Sequence, residues 1–135
     1  GEAQLLYCAY ESSIPSPFLV GDLNVERVSE LGFWQRVAQE RGWIILFFSS
    51  AGCHSCKIWR RLLTEWESRR DDLKVWEADA GIEMGLAQEF EVYHLPALFV
   101  FRDGRYQRPM QVEARLAAFD PWLAAHAGLA PEEAP

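Results

Sequence analysis

A chain of 135 residues with 20 acidic and 13 basic side chains, net −7 at neutral pH, is a poor partner for the phosphate backbone of a nucleic acid. Half of it is hydrophobic, with six Trp, eight Phe and four Tyr, which excludes a disordered chain and is enough for one compact domain. Its longest apolar runs, residues 43–48 and 96–101, fall well short of the roughly 18 to 20 residues that a membrane-spanning helix needs.

In chain order, residues 1–17 contain Ser12, Ser13, Pro15 and Pro17 with no sustained period, so they read as an irregular arm. A domain is expected over 18–127, followed by a tail over 128–135 whose last residues, 130–135, fray. Residues 18–20 suit a short edge strand. Over 24–41 the apolar residues Val25, Val28, Leu31, Trp34 and Val37 recur every three or four positions, which predicts an amphipathic helix ended by Gly42. The unbroken apolar run at 43–48 suits a central strand covered on both faces. A second helix is predicted over 54–69, with Ile58, Trp59, Leu62, Leu63 and Trp66 on one stripe and charges opposite.

Residues 73–78 predict another strand, 82–90 a short helix and 97–102 a further strand. Asp103-Gly104 is a strong hairpin signal and should join that strand antiparallel to residues 106–109. Residues 113–127 have a helical period interrupted by Pro121, so a break is expected there, with Asp120 as cap and Pro121 at the first helical position. The resulting order of strands and helices is that of an α/β fold, a central mixed β-sheet flanked by helices. At their spacings Trp59, Trp66, Trp76 and Phe90 belong to the core facing that sheet.

Three cysteines, an odd number, do not make the disulfide framework of a small secreted scaffold. The chain opens on Gly1-Glu2 without a methionine, read as a remnant joined to a truncated natural sequence. A signal peptide removed ahead of residue 1 and a periplasmic setting are the expectations that follow, with a cytoplasmic setting as the alternative. Leu5-Leu6-Tyr7-Cys8 is faintly like a lipoprotein processing site, but Tyr7 fills the place of a small residue, so lipidation is not expected.

Cys53 and Cys56 fall at the start of the second helix, after the turn Ser49-Ser50-Ala51-Gly52. A cysteine attacks a disulfide as thiolate, and the unpaired amide hydrogens and dipole of a helix's first turn stabilise an anion there. Cys53 is then the nucleophile. Cys56, three residues on, is close enough to attack the mixed disulfide and release the product. The same spacing also occurs in zinc knuckles, yet zinc needs about four ligands, and Cys8, His54, His94 and His126 are scattered. Spacing alone leaves both chemistries open; the strand before the pair and the helix after it favour redox chemistry.

Phe47-Phe48-Ser49-Ser50-Ala51-Gly52-Cys53-His54-Ser55-Cys56-Lys57 resembles the active-site segment of the thioredoxin superfamily, and Leu95-Pro96-Ala97-Leu98-Phe99-Val100-Phe101-Arg102-Asp103-Gly104 is similar to its cis-proline segment and following hairpin. The resemblance implies a thioredoxin fold and a thiol–disulfide oxidoreductase, more a reductase than an oxidase, with Cys53 and Cys56 as its redox-active disulfide. It further implies that Pro96 is cis and lies against the pair, that the Leu95 backbone hydrogen-bonds a substrate strand, and that Gly52 and His54 flank the substrate. No cofactor and no metal are expected. The expected partners are protein disulfides and a second redox protein, met by a monomer.

The departures from that pattern matter. Gly52 stands where a tryptophan is usual, His54-Ser55 where Gly-Pro is usual, and Phe47 where thioredoxins carry a buried Asp whose Lys partner falls near Val75. Glu77 and Asp79 lie on the neighbouring strand and are read as solvated strand-end carboxylates, and Lys57 and Arg60 as solvated-face cations. A protonated His54 would stabilise the thiolate, though an exposed one is screened by solvent. Cys8 is an inert thiol, a regulatory thiol or a partner for another chain. The rival readings are a redox-inactive thioredoxin-like adaptor and a metal-binding protein.

Overall fold

Every position of the strand β2 (Trp43–Ser49) is buried, and successive strand side chains point to opposite faces. Ile45 and Phe47 therefore enter one apolar cluster and Ile44, Leu46 and Phe48 another, which is why this strand reads as an unbroken apolar run. The computed structural model describes residues 25–135. The arm over 1–17, the strand expected over 18–20 and Cys8 lie outside the described residues.

β3 (Leu73–Asp79) runs parallel to β2 on one side, and β4 (Ala97–Arg102) runs antiparallel to it on the other. β5 (Arg105–Pro109) extends the sheet beyond β4, and the short β1 (Glu26–Arg27) lies parallel to the far edge of β3. Among the described residues the order is β1-β3-β2-β4-β5. Asp103 and Gly104, at φ 51° and 84°, form the predicted turn between β4 and β5, since a tight hairpin needs left-handed residues at both central positions.

The helices α2 (His54–Ser68) and α4 (Phe119–His126) cover one face of the sheet. Phe119 is fully buried there, stacked on Trp59 with ring centroids 5.5 Å apart and tilted against Trp66 at 5.1 Å. On the other face α1 (Phe33–Ala38) and α3 (Met84–Glu89) bring Phe33, Val37, Leu86 and Ala87 against Trp76, Phe99 and Phe101. Trp59, Trp66, Trp76 and Phe90 are all core residues, as their spacing predicts. No helix among the described residues is long and apolar enough to cross a membrane.

Four expectations need correction. The helix predicted over 24–41 is only α1, because Val25 and Val28 belong to opposite clusters, which suits the two sides of a strand and not one helical stripe. Leu31, counted in that stripe, is 85% exposed, and Gly32 at φ 69° turns the chain immediately before α1. The helix predicted from residue 82 starts at Met84, since the Asp79 carboxylate accepts hydrogen bonds from the amides of Gly81 and Ile82 and holds a turn there.

Residues 113–127 form a 3-10 turn (Leu116–Ala118) leading into α4. Pro121 sits in the first turn of α4, where its missing amide hydrogen costs nothing. Asp120 is not the cap; its carboxylate accepts from the Trp66 indole and from Arg70, both at 2.8 Å, and so ties α4 to α2. The tail does not fray throughout. The Glu132 amide donates to the Gln107 carbonyl at 2.7 Å, and Arg108 donates to the Ala130 carbonyl at 2.7 Å.

Gly42 illustrates how a turn positions the sheet. Its φ is 77°, its amide donates to the Asp103 carboxylate at 2.8 Å, and a Cβ there would lie 2.7 Å from the Asp72 carbonyl oxygen. Gly42→Ala is expected to destabilise the fold by about 2 kcal/mol, from left-handed strain together with the clash. Urea unfolding measures it, and an unchanged midpoint would contradict the assignment.

Candidate active site

The connection from β2 to α2 places the cysteines. β2 ends at Ser49, residues 50–52 turn, and Cys53 is the N-cap of α2, with φ −86° and ψ 107°. At that position a side chain accepts from the orphan amides of the first turn. Here the sulfur is the acceptor: the Cys56 amide points at Cys53 Sγ from 3.2 Å, and Ser55 Oγ lies 3.6 Å from it. Cys53 and Cys56 are joined as a disulfide with their Cα atoms 5.3 Å apart. Cys53 is half-buried, whereas Cys56 is fully buried in the cluster that holds Phe47, Trp59 and Leu63. The accessible sulfur is thus also the one that the helix terminus stabilises.

The other site residues predicted from sequence are placed as follows. Gly52 is exposed in the turn, with no atom within 4 Å of where a Cβ would stand, and His54 is exposed as the first residue of α2. The Leu95–Pro96 peptide bond is cis. Leu95 packs against both apolar clusters, one of which also receives Cys53. Pro96 lines a cleft of about 360 Å³ with Phe90, Tyr93, His94 and Met110. Cys53 lines a different cleft of about 250 Å³, together with Arg27, Ser50, Ala51, Lys57 and Arg60.

Two of the charged residues differ from their sequence reading. Glu77 is 1% exposed, so it is not a solvated strand-end carboxylate, and Arg60, at 17% exposure, is not on a solvated face. The two form a bidentate pair, Arg60 Nε to Glu77 Oε1 at 2.9 Å and Nη2 to Oε2 at 2.6 Å, and Ser49 Oγ is hydrogen-bonded to Oε2 as well. Burial by itself pushes the Glu77 carboxyl up, but the hydrogen bonds from Arg60 and Ser49 and the charges of Arg60 and Arg27 outweigh it and hold the carboxyl below its ordinary value. Glu77 in turn raises the Arg60 guanidinium. The strand alternation carried the signal. Leu73 and Val75 face the α2 side, so Glu77, two residues further on, does too.

Asp79 is half-buried at the end of β3 and holds its turn, and Lys57 is exposed, as read from the sequence. The register sets Phe47 beside Glu77, so a carboxylate does reach this layer of the sheet, from β3 and not from β2. His126 stacks on Trp122 and bonds its carbonyl. Among the described residues no group of three or more His, Cys, Asp or Glu side chains is placed to hold a metal ion.

Comparison with solved structures gives the same architecture. Mitochondrial thioredoxin 3 from Saccharomyces cerevisiae, in its oxidised form, superposes with a TM-score of 0.65 at 17% identity, over 80% of this chain and 98% of that one. A chain from the thiol-resolving mechanism of yeast mitochondrial 1-Cys peroxiredoxin via the glutathione and thioredoxin systems superposes with a TM-score of 0.64 at 16% identity, over 79% and 97%. No curated protein sequence matches the chain. The Thioredoxin family model matches residues 24–125, so this chain, with its disulfide-forming pair at the start of α2, belongs to the thioredoxin family and is equipped for thiol–disulfide exchange.

Proposed function

We propose that this protein is a reductase of disulfides in other proteins, with Cys53 as nucleophile and Cys56 as resolving thiol. The observation that carries this reading is the asymmetry of the pair: a half-buried sulfur at a helix N-cap beside a fully buried one. Attack by the Cys53 thiolate on a substrate disulfide gives a mixed disulfide. Attack by Cys56 on Cys53 Sγ then releases the substrate as a dithiol and leaves the protein oxidised. Two electrons pass to the substrate without a cofactor.

The surroundings of the pair favour the reducing direction. A strong oxidant of this chemistry has a stabilised reduced form. Here Cys56 lies among apolar side chains that disfavour a thiolate, so the reduced pair gains nothing from a second anion. An extended substrate segment would pair with the Leu95 backbone ahead of Pro96 as a short added strand, with the open surface at Gly52 and His54 receiving its flanks.

The test is to equilibrate the pair in glutathione buffers and to follow dithiothreitol-driven reduction of a protein disulfide. The expected potential lies nearer to about −270 mV than to about −120 mV, the reducing and oxidising ends for this chemistry. A value at the oxidising end would overturn the direction. Absence of any disulfide exchange would overturn the enzyme and leave a redox-inactive adaptor.

A further inference from the structure

The chain as a whole is acidic, yet the cleft that contains the nucleophile is cationic. Arg27 from β1, Lys57 from the first turns of α2 and Arg60 one turn later share its lining with Cys53 and the 50–51 backbone. The carboxylate facing these groups is Glu77, and it lies behind the cleft with both oxygens engaged by Arg60. The nearby Asp79 carboxylate is taken up by the amides of its own turn. No ion pair among the described residues takes up the charge of Lys57 or Arg27. Positive potential is thus concentrated beside Cys53 on a molecule of net charge −7.

We infer that this cleft selects disulfides that carry carboxylates close to the sulfur that Cys53 attacks; the inference rests on the exchange activity proposed above. The chemistry is complete with the residues at hand. The Cys53 thiolate bonds to one sulfur of the substrate R–S–S–R, whose carboxylate is held by Arg27 and Lys57, and the S–S bond breaks to expel the other half as RS⁻. Cys56 then bonds to Cys53 Sγ, the mixed disulfide breaks, and the second RS⁻ leaves. The dithiol is oxidised by two electrons, the substrate is reduced by two, and the two thiol protons end on the two RSH products. Like-charged substrates are disfavoured because a cation would have to approach two exposed cations in a confined space.

The sign of the effect is diagnostic. Steering by the net charge of the whole chain would favour a cationic disulfide, whereas steering by the cleft favours an anionic one. The experiment measures the rate at which the reduced full chain is oxidised by 3,3′-dithiodipropionate, by cystamine and by neutral hydroxyethyl disulfide. Each rate is divided by that of the same disulfide with mercaptoethanol, which corrects for leaving-group acidity. A second pair of probes consists of peptide disulfides with either Glu or Lys flanking the cysteine.

The anionic member is expected to react about ten-fold faster than the cationic one at low ionic strength, with the ratio falling towards unity in high salt. Lys57→Glu, an exposed substitution, should reverse the preference. Because a changed Cys53 reactivity affects all probes alike, the ratio reports the cleft. A preference confined to the small probes supports the inference with a low-molecular-weight anionic disulfide as its substrate, and one confined to the peptides supports it with an acidic protein segment. Equal corrected rates within both pairs, or faster reaction with the cations, would overturn it. Failure to react with any of the disulfides, neutral probe included, would instead overturn the exchange activity itself.

Discussion

Cys53→Ser is expected to reduce disulfide turnover to the uncatalysed background, while Cys56→Ser keeps the first attack and stalls after it. The reason is the division of labour set by burial. Cys53 is the sulfur within reach of a substrate and the one held by the amide of residue 56, and Cys56 is enclosed by core side chains. A serine at position 53 has no thiolate to offer at neutral pH. A serine at position 56 leaves the thiolate of Cys53 intact but cannot displace it from the mixed disulfide. Mass spectrometry after incubation with a protein disulfide should therefore show a stoichiometric adduct on Cys56→Ser and none on Cys53→Ser. The reverse pattern would exchange the two roles, and adducts on neither would remove them. Alkylation of the reduced protein should also show Cys53 titrating below about 8.5, the value of a free thiol.

Glu77→Ala is expected to cost about 3 kcal/mol of stability, at the lower end of the range for breaking a buried ion pair, because Arg60 retains some access to water. The effect reaches the site through geometry. Arg60 lies one turn along α2 from Lys57, and its bidentate bond to Glu77 fastens that part of the helix to β3, while Ser49 joins Glu77 to the strand end that leads into the cysteine turn. Replacing both partners with apolar residues, Arg60→Met with Glu77→Leu, should cost clearly less than Glu77→Ala alone, since no charge is then left without its partner.

The same pair predicts a pH dependence of definite sign. The folded carboxyl of Glu77 is held below its ordinary value of 4.5, so its contribution is fully present above that value and is lost as the pH falls through the lower folded value. The stability difference between the wild type and Glu77→Gln should thus shrink as the pH is lowered from about 5 to about 3. A difference that stays constant across that interval would show that folding does not shift the Glu77 carboxyl, and one that grows as the pH falls would show that folding raises it.

Much of the chain was legible from local pattern. The strands at 43–48, 73–78 and 97–102, the helix from residue 54, the Asp103-Gly104 turn and the redox pair all follow from side-chain period, turn chemistry and the electrostatics of a helix terminus, which act between near neighbours. These properties belong to segments of a few residues, so they survive being read without the fold.

Other features came only with the tertiary structure. A period of three in Val25, Val28 and Leu31 is compatible with a helix until the sheet shows the two valines serving opposite faces. A charged residue reads as solvated until a partner from elsewhere in the chain is brought to it, and Arg60 and Glu77 are 17 positions apart in sequence. The tail pairs with β5 because the fold carries Glu132 to Gln107. The cationic cleft combines side chains from β1 and α2 around a sulfur, and no local pattern encodes that sum. Burial and electrostatic pairing depend on distance in space, and the sequence states distance only along the chain.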